Sequence, residues 1–466
     1  MKRFVKIYTY WLLGILLFTG CDDYLKEDSG DLLIPGKVEE FLPMLYREGF
    51  PRNFNDEVAW LYLMTDDVEM GQLELDPEDE ANDTRDKNSS DAFNVGEGEE
   101  PYKWEREIKS YADNFWERRY GNILACNLVI DALPEMEYVE ADSGNYNFLA
   151  AQAYALRAYN YWCLVNSYAL PWSKENLDKP GVIIRMEPQI NISPRGRSSI
   201  REVYDLINED IEKAEKYINI ATFDGNIHRL SEPAILLLAS RIALFQENWD
   251  EVIRTGKLFL AQNSVILNLN DQDTTLFGTE KGLSNKIFTM MDGTINKEVV
   301  FTFGTQSYSP YQYLSTTGAL YGLGFRPSHS ADESLIRSYE EGDLRKKAYF
   351  LEDVPAKKAE NWWEESRPYE YKYYYPIKYR QMSGSTSTKP SDNLVHENWR
   401  SVEVMLNLAE AYTRKNNEVT SDALDLLNNL RRCRLTPKAY VEKTSADFPN
   451  AQALILQSGI AEGWSS

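Results

Sequence analysis

Apolar positions recur at helical spacing along most of this chain. The clearest stretch is Ser199–Ile218. There Ile200, Val203, Tyr204, Ile207, Ile211, Ala214 and Ile218 fall on one stripe of 3.6-residue period. Ser199 with Glu202 three places on fits a capping box. Asn114–Leu133 carries Phe115, Ile123, Leu124, Leu128 and Val129 before Pro134 ends it. Phe148–Ser167 is rich in alanine, so a neighbouring helix can come close, and it bears Tyr154, Leu156, Tyr159, Trp162 and Val165. Tyr168–Pro171 breaks it, and prolines 171, 180, 188 and 194 punctuate the loop that follows. Ser231–Gln246 is apolar, with Pro233 in its first turn, where a missing N–H costs nothing. Asn248–Gln262 follows after a tight break.

Helix, short turn and helix, with Trp249 opening the second, resemble a tetratricopeptide unit. Trp399–Arg414 and Ser421–Arg432 predict a second pair. One pair buries its stripe only against the next, so several must stack. Between these helices the character changes. Residues 22–60 read as a tether followed by irregular structure. Residues 66–100 form a long acidic loop without a lasting apolar period. Residues 264–400 are dominated by Gly, Ser, Thr, Asn and Tyr, which predicts short strands such as Val299–Phe303 among long loops. The expected fold is mainly α: helix pairs in a superhelix, with long loops and a few short strands.

The amino terminus carries a different signal. Lys2, Arg3 and Lys6 precede the short apolar run Tyr10–Phe18, and Thr19 and Gly20 stand before Cys21. This is a secretory leader, too short for a span of about 20 apolar residues. A cysteine at the break reads as a lipoprotein signal: cleavage follows Gly20 and Cys21 takes a diacylglycerol. Phe18 stands where leucine is usual, with Leu17 one place earlier. The blander alternative is an ordinary secretory leader beside an incidental cysteine. The organisation expected is a signal peptide at 1–20, an N-terminal part at 21–220 and a C-terminal part at 221–466, the last two forming one fold.

Composition narrows the function. The 466 residues carry a formal net charge of −23, which repels nucleic-acid phosphates and anionic lipid heads. Membrane attachment must then come from acyl chains. Besides Cys21, Cys126, Cys163 and Cys433 lie far apart in helical patterns and read as buried small hydrophobes. His228, His329 and His396 lack ligand spacing, so no histidine zinc site is expected, and no cofactor is called for. Asp76, Glu78, Asp79, Glu80 and Asp83 could gather calcium but lack the spacing of a calcium loop; the simpler reading is a solvated face. No Gly-x-Ser-x-Gly elbow, phosphate loop or His-Glu-x-x-His is present.

An ordered series of motifs resembles the SusD/RagB family of outer-membrane lipoproteins. It begins with Cys21-Asp22-Asp23-Tyr24-Leu25 and Phe115-Trp116…Tyr120…Ile123…Asn127. It continues through Ala153–Tyr159 with Tyr161-Trp162, Val203-Tyr204…Asp210-Ile211, Asn248-Trp249-Asp250 and Glu298–Phe301. It closes with Asp343-Leu344-Arg345, Leu408–Tyr412 and Ala423–Asn428 with Arg431. The resemblance implies four tetratricopeptide-like helix pairs. It also implies a cell-surface position over a SusC-like TonB-dependent barrel, glycan binding before import, and no catalysis. After Lys443 the chain departs from the family pattern. Only Asp447 and Glu462 are charged there, which reads as a truncated or frame-shifted end.

Glycan binding suits flat aromatic faces beside planar hydrogen-bonding groups. The loop 305–326 supplies Tyr308, Tyr311, Tyr313, Tyr321, Phe325 and Arg326 among glycines. Trp104 and Asp66/Asp67 flank the acidic loop as further candidates. Each of these could equally pin a loop to the helices. Trp362-Trp363 beside Tyr369–Tyr375 reads as packing, or as a patch for the barrel partner. Two other functions stay open: a lipid-anchored scaffold binding only protein partners, and a glycan hydrolase, though no carboxylate pair is singled out.

Overall fold

The computed structural model describes residues 36–50, 64–65, 68–71, 100–107, 115–189, 193–277, 296–303, 324–327, 334–353, 373–376 and 397–449. The first described helix, α1 (Val38–Glu48), lies inside the segment read as tether and irregular structure, and corrects that reading. Val38, Phe41 and Leu45 supply a buried stripe. Pro43 sits within the same helix and masks the signal. A proline there removes one backbone donor, and burial against the next helices outweighs that loss.

Next comes strand β1 (Val68–Gly71), followed by the helices α2 (Phe115–Ala132), α3 (Ser143–Tyr168), α4 (Ile200–Ile218), α5 (Glu232–Phe245) and α6 (Trp249–Gln262). The helix read from Phe148 begins earlier, at Ser143. Tyr146 in that added turn donates to Leu133 O at 3.0 Å and stacks on Tyr138. The capping box at Ser199 forms, and Asn248 caps α6 by accepting from Glu251 N. Pro233 occupies the first turn of α5.

The chain then makes β2 (Val299–Phe303), β3 (Gly324–Pro327), the short helices α7 (Leu335–Ser338) and α8 (Leu344–Tyr349), β4 (Phe350–Asp353), β5 (Tyr373–Pro376) and β6 (Glu397–Arg400). It closes on α9 (Ser401–Asn416) and α10 (Ser421–Arg434). Trp399 therefore lies in a strand, not in a helix as its sequence context predicts. It is buried against Phe301 and Tyr159, with the Arg241 guanidinium over its ring. The indole gains more from that aromatic nest than a helical turn could offer.

Among the described residues the helices pair as α1–α2, α3–α4, α5–α6 and α9–α10. Each pair packs on the next through α2–α3, α4–α5 and α6–α9. α3 is the central element. Its alanines 150, 151, 153, 155 and 158 are fully buried, so helices on several sides approach closely. Gly256 does the same between α6 and α9, because a Cβ there would stand 3.2 Å from Leu408. One contiguous core runs from Val38 in α1 to Val404 in α9. Truncating a fully buried member such as Ile207 to alanine costs about 2–5 kcal/mol. Cys126 is buried as expected, whereas Cys163 and Cys433 are only half-buried. Cys163 still packs against the core.

The strands form three antiparallel two-stranded ladders: β1 with β3, β2 with β6, and β4 with β5. The β2–β6 ladder packs on α5 and ties the last helix pair to the rest. Glu298, just before β2, is fully buried and receives Arg434 and Arg400.

Candidate functional site

The β1–β3 ladder joins two segments far apart in sequence. Val68 pairs with Pro327, Glu69 with Arg326, Met70 with Phe325 and Gly71 with Gly324. Arg326, named above as a glycan-binding candidate, is thus backbone-paired with the strand that directly follows Asp67. Antiparallel partners lie about 4.5–5.5 Å apart, so a carboxylate-bearing residue and a guanidinium-bearing residue share one rung. β3 also lies beside β5. β5 pairs Tyr373 with Asp353, Tyr374 with Glu352 and Tyr375 with Leu351. The described part of the tyrosine run, Tyr373–Tyr375, is therefore a strand beside β3.

Trp104 is the described aromatic candidate. It stands in the segment 100–107 with its side chain 66% exposed and its backbone at φ 54°. A bulky residue in that left-handed region costs on the order of 1 kcal/mol. The turn is closed by Trp104 N donating to Pro101 O at 3.0 Å. An indole two-thirds in solvent on a strained turn stands apart from the buried Trp399. Cys21, Asp67, Tyr308, Tyr311, Tyr313 and Tyr321 lie outside the described residues, as do residues 76–83 of the calcium reading.

One concavity was not anticipated from the sequence. It is a groove of about 600 Å³ between α2 and residues 183–189, lined among others by Trp116, Tyr120, Arg185 and Glu187. The signal was present in α2: Trp116, Tyr120 and Leu124 recur every four residues and line the groove beside Ile123. Tyr120 donates to Ile183 O at 2.7 Å, and burial pushes its phenol up to about 12 despite that bond.

The fold defines a class: a tetratricopeptide-like superhelix of packed helix pairs bearing small two-stranded sheet pieces. Residues 51–244 match the family model SusD-like, described as starch-binding associating with outer membrane. Over those residues the chain is similar to the SusD-like family. It is 27% identical over 158 residues to SusD-like protein P38 of Formosa agariphila. That match takes in 33% of this chain and only 27% of the relative.

Among solved structures, a SusD-like carbohydrate binding protein from Bacteroides vulgatus superposes with TM-score 0.60 at 19% identity, over 92% of this chain and 81% of that one. A SusD superfamily protein from Bacteroides thetaiotaomicron gives TM-score 0.60 at 16% identity, over 90% and 85%. Surface glycan-binding protein A from Bacteroides fluxus gives 0.56 at 16%, over 90% and 85%. At these identities the likeness is one of fold. Among the described residues no helix is long and apolar enough to cross a membrane.

Proposed function

We propose that this protein is a lipid-anchored, non-catalytic glycan-binding component of an outer-membrane uptake system. It takes an oligosaccharide or polysaccharide on the surface built by β1, β3 and their flanking loops. It then delivers the glycan to a SusC-like TonB-dependent transporter. Cys21 carries the lipid, and Trp104, Asp67, Arg326 and Tyr308, Tyr311, Tyr313 and Tyr321 supply the binding groups.

The observation that carries this reading is the pairing of Glu69 with Arg326. It pairs the last residues of the 305–326 stretch with the strand that follows Asp67 in sequence. The family description names starch binding and outer-membrane association, and the relatives' names speak of carbohydrate binding rather than of reaction.

The test is native electrophoresis through gels containing amylopectin, pectin or alginate, with reducing ends assayed in parallel. Retardation by a glycan without release of reducing ends supports the reading. Release that is lost on changing one carboxylate favours the hydrolase instead. Mobility unchanged by all three glycans, together with co-purification of a barrel, favours a scaffold.

A further inference from the structure

The groove between α2 and residues 183–189 is lined by Trp116, Tyr120, Gly121, Arg185, Glu187 and Gln189. Its volume of about 600 Å³ falls in the range of small-molecule sites. Three observations point to a ligand.

The first is that α2 is apolar on two flanks. Phe115, Ile123, Cys126 and Val129 enter the core, while half-buried Trp116 and Tyr120 pack beside it and line the groove with Leu124, and Leu128 is 39% exposed. A surface helix normally keeps that second flank polar.

The second is Gly121 in the middle of α2. Its backbone is right-handed, and a Cβ built there meets nothing within 4 Å. Glycine weakens a helix interior relative to alanine. Neither a turn nor a close approach requires it here. What its missing side chain leaves is the width of the groove.

The third is that the far wall is held ready. Tyr161 Oη both donates to Arg185 O and accepts from Arg185 N, each at 2.8 Å. Asn127 Nδ2 donates to Arg185 O at 2.9 Å, and Arg185 Nη2 donates to Ser193 O at 2.9 Å. Arg185 Nη1 remains buried without an acceptor. Buried donors without partners are uncommon in folded proteins, and each one asks for an explanation.

We propose that this groove is a second saccharide site, in which a pyranose ring lies along Trp116 and Tyr120 while Arg185, Glu187 and Gln189 bond its hydroxyls. Two adjoining aromatic rings, tilted 48° to each other, beside planar polar groups offer the chemistry that recognises a sugar ring. The site shares no residue with the β1–β3 surface, but it rests on the reading that the chain binds glycans.

Isothermal titration with maltoheptaose and with hexagalacturonate tests it on the full chain. The expected result is two oligosaccharides bound per chain for at least one probe, falling to one in Gly121→Phe and to one in Arg326→Ala. Gly121→Ala, which leaves the groove open, should keep both. If Gly121→Phe fails to fold, the pair Glu187→Ala with Gln189→Ala takes its place. Unchanged binding in the groove variant, with loss in Arg326→Ala, overturns the second site and leaves the proposed function standing. Loss in the groove variant alone supports the groove and overturns the strand location. No binding of either probe at millimolar concentration overturns both.

Discussion

Arg157 and Asp210 form a buried bidentate ion pair, Nε to Oδ2 and Nη2 to Oδ1, both at 2.7 Å. The pair crosses from α3 to α4. It continues through Arg157 Nη1, which donates to Asn127 Oδ1 at 2.9 Å, and so reaches α2. Asn127 in turn holds the carbonyl of Arg185. One network therefore joins three helices and the wall of the groove.

Removing one partner leaves an uncompensated charge in the core. Asp210→Ala should lower stability by about 3–5 kcal/mol. The double variant Arg157→Leu with Asp210→Leu should recover most of that loss, because a packed apolar pair replaces a matched ionic one. Urea unfolding midpoints read both. A single variant within about 1 kcal/mol of wild type would show that the pair does not organise the helices.

Gly121 in α2 and Gly256 in α6 should behave oppositely. Gly121 faces open space, so Gly121→Ala should raise stability by about 0.4–1 kcal/mol. Gly256 has Leu408 only 3.2 Å from the position of a Cβ, so Gly256→Ala should lower the melting temperature. Thermal unfolding of both variants checks the pair of signs.

Stability should fall on the alkaline side. Burial pushes Tyr120 and Tyr204 up from 10.0 to about 12, and Cys126 from 9.0 to about 12. The unfolded chain then releases protons that the folded chain keeps. The stabilisation is present in full below the ordinary values and is lost as pH rises toward 12. Urea midpoints at pH 8, 10 and 11.5 should decrease in that order, and Tyr204→Phe should flatten the decline. Cys126 should also stay inert to thiol reagents until the chain unfolds.

The lipid can be tested apart from the glycan. Cys21→Ala should release the protein from membranes in detergent-free buffer. Continued membrane fractionation of that variant would remove the anchor from the account.

The helical body was legible in the sequence because its periodicity and its core coincide. The stripe Ile200, Val203, Ile207, Ile211 and Ala214 is the buried face of α4, and Ser199 and Asn248 cap where their side chains allow. Legibility failed where long-range packing decides. Pro43 masked α1, whose Phe41 and Leu45 are fixed only by distant α2 and α3. Trp399 followed its strand partner Phe301, nearly a hundred residues away, rather than its helical neighbours. At the candidate site, Arg326 was named from composition. Its pairing with Glu69 is a ladder that no local pattern encodes. The groove went unnoticed because the use of Trp116 and Tyr120 depends on Arg185 and Glu187 in a loop beyond the next helix.

The question underlying the account is whether the paired strands and the exposed indole hold a glycan. Wild type and the double variant Trp104→Ala with Arg326→Ala should be run side by side through a native gel containing the polysaccharide that retards the wild type. One stacking contact and one charged hydrogen bond together contribute about 2–4 kcal/mol. The variant should therefore migrate as in a polysaccharide-free gel while melting as wild type does. Equal retardation of a folded double variant would contradict the account.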